Sequence, residues 1–288
     1  MHKLTAPTPP AGFALKVNAT VTALQAGVVS GTTLVFPDLW KNYKETFIKA
    51  QHGKCGFCEG PVWGLQYGDV EHFRPKAAVS ELNPLNPATW GAELPWSSRV
   101  KGRKPTLVST QGYWWECYRW ENYLLACQVC NQQWKKNLFP VAANNRLSPP
   151  AAANAEHELL LNAFYDHEHP GKHLAYGRLG EIMPFDNSPY GKATIQTCGL
   201  DRPSLRQARF KLASTTHERI DELANDITER ELLWILKAVS LDGEEKQWYC
   251  GMVRAIFEQR TGQVWAGLQE MIDKLERKPD LSTRLCDC

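Results

Sequence analysis

Residues 55–58 read Cys-Gly-Phe-Cys, residues 69–75 read Asp-Val-Glu-His-Phe-Arg-Pro, and residues 122–131 read Asn-Tyr-Leu-Leu-Ala-Cys-Gln-Val-Cys-Asn. The first and third stretches each contain a CxxC pair, and each such turn presents two sulfurs to one point. Four thiolates match the tetrahedral coordination of Zn²⁺ and leave no open position, so the sequence predicts a structural zinc. Its predicted ligands are Cys55, Cys58, Cys127 and Cys130.

Chance and redox chemistry account for the paired cysteines less well than zinc binding does. Nine cysteines in 288 residues can form pairs by chance, and a redox CxxC would leave the second pair without a role. Cys117, Cys198 and Cys250 lie in apolar or helical surroundings and are predicted to be buried thiols. Cys286 and Cys288 stand at the C-terminus, a position that is more often frayed than functional.

The composition of the whole chain limits the classes of function. Hydrophobic residues make up 43% of the 288 residues, which suffices for one large domain or two small ones. No apolar run of about 18 residues occurs and no signal core follows Met1, so we expect a cytoplasmic protein without a membrane partner. Free thiols and zinc thiolates persist in that compartment. The net charge of +2 does not mark a nucleic-acid binder, so such binding would depend on local basic patches.

The chain is predicted to be an α+β protein with three regions. Residues 1–35 are read as an N-terminal arm, because their first part is rich in Pro and Ala. Residues 36–145 form the predicted core, with a Pro-, Gly-, Ser- and Trp-rich insertion at 74–112. Residues 146–288 form a mainly helical region.

Several elements are predicted from periodicity and turn residues. The predicted elements are a helix over 38–51, a strand over 68–73, a short helix after the second cysteine pair, a hairpin over 173–184, and helices over 203–239, 244–259 and 263–277.

The wider sequence supports a family resemblance. The segments CGFCE, DVEHFRPK, WENYLLACQVCNQQWKKNLFP, LLLNAF and TIQTCGLDRPSLRQAR follow one another along the chain. In this order they resemble the HNH endonuclease superfamily in its four-cysteine zinc form. More narrowly, they resemble the PtuB-like nucleases of Septu-type anti-phage systems and some retrons, which are encoded beside an ABC/AAA-type ATPase. The specific motifs span 55–140, and the segment 159–209 supports the family choice without adding chemistry.

The resemblance implies a ββα-metal core and assigns roles to four residues. His72 matches the general base that takes a proton from water, and Glu71 matches the acidic residue before it. Asn122 matches the middle Asn, whose amide would hold the imidazole in its working tautomer. Asn131 matches a ligand of the catalytic cation, which would be Mg²⁺ or another divalent cation, with Glu71 as a second ligand.

The match to the superfamily motif is incomplete. Trp134 and Lys135 stand where the last position is commonly His or Asn, so the third cation ligand stays open. Asp69 is the candidate for that role, because it lies two residues before Glu71 on the same strand face. Adjacent strand residues point to opposite faces, so Glu71 and His72 act together only if the strand bends.

Basic and metal-ligating side chains outside this group give weaker signals. Arg74 and Lys76 are predicted phosphate contacts because they flank His72, and a second basic patch falls at 99–104 beside several tryptophans. The tryptophans are more often core than stacking platforms. The acidic and histidine residues of 166–169, together with His173, are predicted to form a solvated loop.

These observations predict a metal-dependent endonuclease acting on nucleic acid, with DNA favoured and RNA possible, in a bacterial anti-phage system. The predicted partners are nucleic acid and the ATPase, which we expect to contact helices between 203 and 277. Two alternatives remain open: a non-catalytic zinc-knuckle protein that binds nucleic acid, and an ATPase-docking subunit with a degenerate site.

Overall fold

The computed structural model describes residues 1–62, 68–82, 105–142, 146, 156–165 and 169–278. Helices and short two-stranded sheets are combined in these residues, so the predicted α+β class is confirmed. The helices are α1 (Phe13–Ser30), α2 (Lys44–Ala50), α3 (Pro189–Cys198), α4 (Pro203–Glu222), α5 (Glu229–Asp242), α6 (Cys250–Thr261) and α7 (Leu268–Glu276). The strands are β1 (Gly68–His72), β2 (Val79–Leu82), β3 (Pro105–Ser109), β4 (Tyr123–Cys127), β5 (Leu174–Tyr176) and β6 (Ile182–Pro184).

The strands form three antiparallel pairs, which are β1–β4, β2–β3 and β5–β6. The β1–β4 pair carries the motif residues, and its register places Glu71 opposite Leu124 and His72 opposite Tyr123. β4 is buried along its whole length and leads directly into a π-helix, Val129–Lys135. The β5–β6 pair matches the hairpin predicted over 173–184.

The N-terminal segment differs from the predicted arm. It contains α1, whose Phe13, Val17 and Leu24 face the core and which ends at Gly31 in the left-handed conformation. Met1 and Leu4 are also buried in the main core. The sequence did not predict this burial. The first residues are rich in Pro, and their few buried positions follow no helix or strand period.

Two predicted helices are divided in the structure. The segment predicted as one helix over 38–51 is a 3₁₀ turn, Leu39–Tyr43, followed by α2. The segment predicted over 203–239 is α4 and α5, because Thr228 begins a new helix with a capping box to Glu231.

The C-terminal helices share one hydrophobic core with the motif strands. α6 packs beside the first cysteine pair, where the buried Glu59 carboxylate accepts a hydrogen bond of 3.2 Å from Gly251 N at the start of the helix. A carboxylate at this end of a helix is favourable, because the first N–H groups have no partner within the helix. Lys54 Nζ donates 3.1 Å to the carbonyl of Gln247, just before α6. No helix among the described residues is long and apolar enough to cross a membrane.

Candidate metal centre and catalytic site

The four predicted zinc ligands come together. The Sγ atoms of Cys55, Cys58, Cys127 and Cys130 all lie within 4.8 Å of one another, and all four residues are buried. Cys58 Sγ and Cys127 Sγ are 4.0 Å apart. Zn–S bonds of about 2.3 Å in a tetrahedron require sulfurs about 3.8 Å apart, so the cluster fits one structural Zn²⁺.

Local structure holds each cysteine pair in place. The first pair lies in a turn in which Cys55 N donates 2.9 Å to Gly60 O. The second pair begins at the end of β4, and Cys130 N donates to Cys127 Sγ at 3.4 Å. The buried amide of Gln51 joins the two, because its Nε2 donates 2.9 Å to Leu125 O and its Oε1 accepts from Leu125 N at 2.7 Å.

Arg202 also contacts the cysteine cluster, and the sequence did not predict this contact. Its guanidinium donates to Cys130 Sγ at 3.4 Å and to Gly199 O at 3.0 Å. Burial alone would lower the pKa of Arg202, but the sulfurs of Cys130 and Cys58 hold it above its ordinary value. Four thiolates around Zn²⁺ carry net negative charge, so a buried guanidinium beside them compensates part of that charge. Only the segment DRPSLRQAR pointed to this region, and it suggested no chemistry.

His72 lies in an aromatic enclosure at the end of β1. Only 6% of the residue is exposed, and its ring packs edge-on against Trp40 with centroids 4.5 Å apart. Nε2 lies 3.0 Å from the carbonyl oxygen of Cys117. A carbonyl only accepts, so Nε2 carries the proton and Nδ1 holds the lone pair. Burial, and then the charge of Lys76, lowers the pKa of His72 to about 3, which keeps the ring neutral near pH 7.

Glu71 faces a different partner. Its Oε1 accepts a hydrogen bond of 2.6 Å from Nζ of Lys135, the last residue of the π-helix. The same ammonium donates 3.0 Å to the backbone carbonyl of His72. Lys135 is fully buried. The strand thus gives Glu71 and His72 separate surroundings, as alternation along a strand leads one to expect.

Asn122 does not hold the imidazole as its matched role implied. Its Nδ2 donates 3.0 Å to the carbonyls of Arg74 and Glu116, and its Oδ1 accepts from Arg74 N at 2.7 Å. All three bonds join backbone segments. The carbonyl of Cys117 fixes the His72 tautomer instead, and no side-chain pattern could have pointed to a backbone group.

The other two predicted cation ligands are less enclosed. Asn131 is half-buried, and its backbone carbonyl accepts from Lys136 N at 2.7 Å. Asp69 is exposed and accepts from Gln132 Nε2 at 3.3 Å. Within the described ranges, only the four cysteines bring three or more His, Cys, Asp or Glu ligand atoms together. The oxygens of Glu71 and Asn131 are of the type that a hard cation prefers, provided that Lys135 releases Glu71.

The two basic residues beside His72 have different environments. Arg74 is buried and pairs with Glu156 at 3.4 Å and with Glu158 at 3.0 Å. Its predicted phosphate contact is therefore wrong, because the charge is already neutralised in the core. Lys76 is half-buried with Nζ 4.0 Å from the centre of the Trp40 ring, where the cation–π contact keeps its charge near His72.

Some of the remaining predictions concern residues that the structure describes, and the others lie outside those residues. Cys117, Cys198 and Cys250 are buried, as predicted. His173 hydrogen-bonds Ser188 through Nδ1 at 2.7 Å, and His169 accepts from Gly171 N at 3.2 Å. Some predictions lie outside the described residues. They are the basic patch at 99–104 with the two tryptophans nearest before it (Trp90 and Trp96), the residues 166–168, Cys286 and Cys288.

Comparison with known proteins gives a partial match. No family model matches the sequence. The chain is similar to a Septu protein. It is 32% identical over 174 residues to "Septu protein PtuB" of Bacillus mycoides (strain KBAB4), a match that covers 60% of this chain and 51% of that protein. The chain thus spans about half the length of the curated relative it matches. This similarity agrees with the family resemblance read from the motifs.

Proposed function

We propose that the chain is an HNH-type, metal-dependent endonuclease that acts in anti-phage defence. The observation that carries the proposal is His72, a buried neutral imidazole with its Nδ1 lone pair available. It lies on the strand that pairs with β4, which leads into the second cysteine pair. The similarity to a Septu protein supports the defence role. DNA is the favoured target because the family resemblance implies it.

In the proposed reaction, His72 Nδ1 takes a proton from water that attacks a phosphodiester. The bond from Nε2–H to the Cys117 carbonyl keeps the ring in place and stabilises the imidazolium that forms. An approaching phosphate anion favours the protonated ring, so it raises the pKa of His72 from its low resting value. The Lys76 ammonium is placed to attract that phosphate. A divalent cation, when bound by Glu71 and Asn131, supplies charge stabilisation for the phosphate and the departing oxygen.

A cleavage assay tests this function directly. The full-length, zinc-loaded chain is incubated with duplex DNA, single-stranded DNA and RNA, with and without Mg²⁺ or Mn²⁺. His72→Ala should reduce the cleavage rate by about 10²- to 10⁴-fold, because it removes the general base. His157→Ala is the matched control, since His157 is exposed and belongs to neither site. Cleavage by His72→Ala at a rate close to that of the unmodified chain would refute the assignment.

A second candidate function is a non-catalytic subunit that binds nucleic acid or docks an ATPase. The ion pair between Lys135 and Glu71 favours it, because the carboxylate is already neutralised. This candidate predicts that no nucleic acid is cleaved with any divalent cation, while binding of nucleic acid or ATPase persists.

The ATPase partner implied by the resemblance would contact the C-terminal helices α4 to α7, which we call the helical half. α5 buries Ile235, Leu236 and Val239 but exposes 61% of Trp234 and 56% of Leu241. These two residues are seven positions apart, so they lie on one face of the helix. We assign this Trp234–Leu241 face as part of the docking surface.

Co-expression with the neighbouring ATPase tests the docking surface. Trp234→Ala combined with Leu241→Ser should reduce co-purification by about tenfold or more, because aromatic anchors carry much of the binding energy of an interface. Leu15→Ser is the control, since Leu15 on α1 is 83% exposed and lies outside the helical half. Equal loss in both variants, or in neither, would contradict the assignment.

A further inference from the structure

Lys135 makes contacts that are unusual for a lysine. Its Nζ lies 2.6 Å from Glu71 Oε1 and 3.0 Å from the backbone oxygen of His72, and the side chain is fully buried. Removing an ammonium from water is costly unless a carboxylate and other acceptors surround it. This ammonium is therefore held firmly in place, and it is not available to a substrate phosphate.

The oxygens around this ammonium are also ligands for a hard cation. Mg²⁺ binds carboxylate and carbonyl oxygens, and Glu71 and the His72 carbonyl supply one of each. Two positive groups at one buried carboxylate repel each other, since screening by water is weak there. We propose that Lys135 is an internal competitor for the catalytic cation, and that cation binding at Glu71 requires its ammonium to withdraw.

The proposal rests on the proposed function in one respect, because that function places the cation at Glu71 and Asn131. The π-helix provides the connection between the competing groups. It carries both Asn131 and Lys135, and the bond from Lys136 N to Asn131 O at 2.7 Å spans five residues. Lys136, which follows Lys135, has φ +48, a conformation that costs energy for a residue with a Cβ. A rearrangement of this one segment would move the ammonium away from Glu71 while Asn131 remains in the same element.

Direct measurement of Mn²⁺ binding tests the competition. Mn²⁺ is titrated into the zinc-loaded, full-length chain and followed by electron paramagnetic resonance. Lys135→Gln should bind Mn²⁺ about 10- to 100-fold more tightly than the unmodified chain, because the competing charge is gone. In a Glu71→Gln background, the same change at Lys135 should have little effect, because the shared carboxylate is absent.

A second measurement uses the unmodified chain, so it does not depend on the folding of a variant. Reductive methylation followed by mass spectrometry should modify Lys135 slowly without added cation and faster at saturating Mg²⁺. Lys54 is the control, since it is also almost fully buried but donates to the Gln247 carbonyl instead.

The outcomes separate this inference from the proposed function. Unchanged or weaker Mn²⁺ binding in a folded Lys135→Gln variant would overturn the inference, as would Lys135 protection that saturating Mg²⁺ does not alter. Absence of Mn²⁺ binding in every variant would overturn it too. Tighter Mn²⁺ binding in Lys135→Gln, together with no cleavage of nucleic acid by the unmodified chain, would support the inference and refute the nuclease function.

Discussion

At the scale of single residues, Asn122 joins parts of the backbone that are distant in sequence. Its amide bonds the N–H and carbonyl of Arg74 and the carbonyl of Glu116, all in buried surroundings. Asn122→Ala would remove all three bonds to these buried backbone groups, so we expect it to lower the free energy of unfolding by about 2–4 kcal/mol. Urea denaturation measures this loss, and nuclear magnetic resonance should still detect the His72 Nε2 proton. A shifted tautomer with unchanged stability would contradict this role.

Cys58 illustrates the difference between a metal ligand and a buried thiol. Cys58→Ser should abolish zinc retention and stable folding, because the cluster closes only with four sulfurs. Elemental analysis and thermal unfolding measure both effects. Cys198→Ala is the control. Cys198 is buried outside the cluster, so this variant should retain one zinc per chain. Well-folded, zinc-free protein would refute the structural role of the metal.

At the scale of elements, the turn between α3 and α4 supports the cysteine cluster through Arg202. Arg202→Met should increase the rate of zinc transfer to a chelator by about 10- to 100-fold, because groups that contact metal ligands affect affinity to that degree. Arg206→Met is the control, since Arg206 forms an ion pair with Asp201 at 2.7 Å. Equal zinc loss from both variants would show that Arg202 acts only through the stability of this turn, and not through its contact with the cysteine cluster.

The sequence predicted those elements whose chemistry or periodicity is local. Cysteine spacing identified the four-cysteine cluster, and alternation around Glu71 identified β1. The contacts of Lys135, Arg202 and the Cys117 carbonyl were not predictable in this way, because each depends on tertiary packing between distant segments. The burial of Arg74 escaped prediction for the same reason, since its partners Glu156 and Glu158 lie far along the chain.

At the scale of the whole molecule, the helical half contributes to the same core as the motif strands. Truncation after Leu200 removes Arg202 and α6, which contacts Glu59 beside the first cysteine pair. We therefore expect the truncated chain to lose cooperative unfolding and most of its zinc, as measured by calorimetry and elemental analysis. A truncated chain that stays folded and zinc-loaded would show that the helical half is a separate unit.

The contact between Arg202 and Cys130 also has a consequence for biosynthesis. A ribosome adds residues at about 5–20 per second, so the first cysteine pair emerges on the order of ten seconds before Arg202. During that interval the nascent thiols lack both their guanidinium neighbour and the cover provided by α6. If the chain is the nuclease proposed above, the order of translation would delay assembly of the zinc site, and with it cleavage of the cell's own nucleic acid, until α6 has been made.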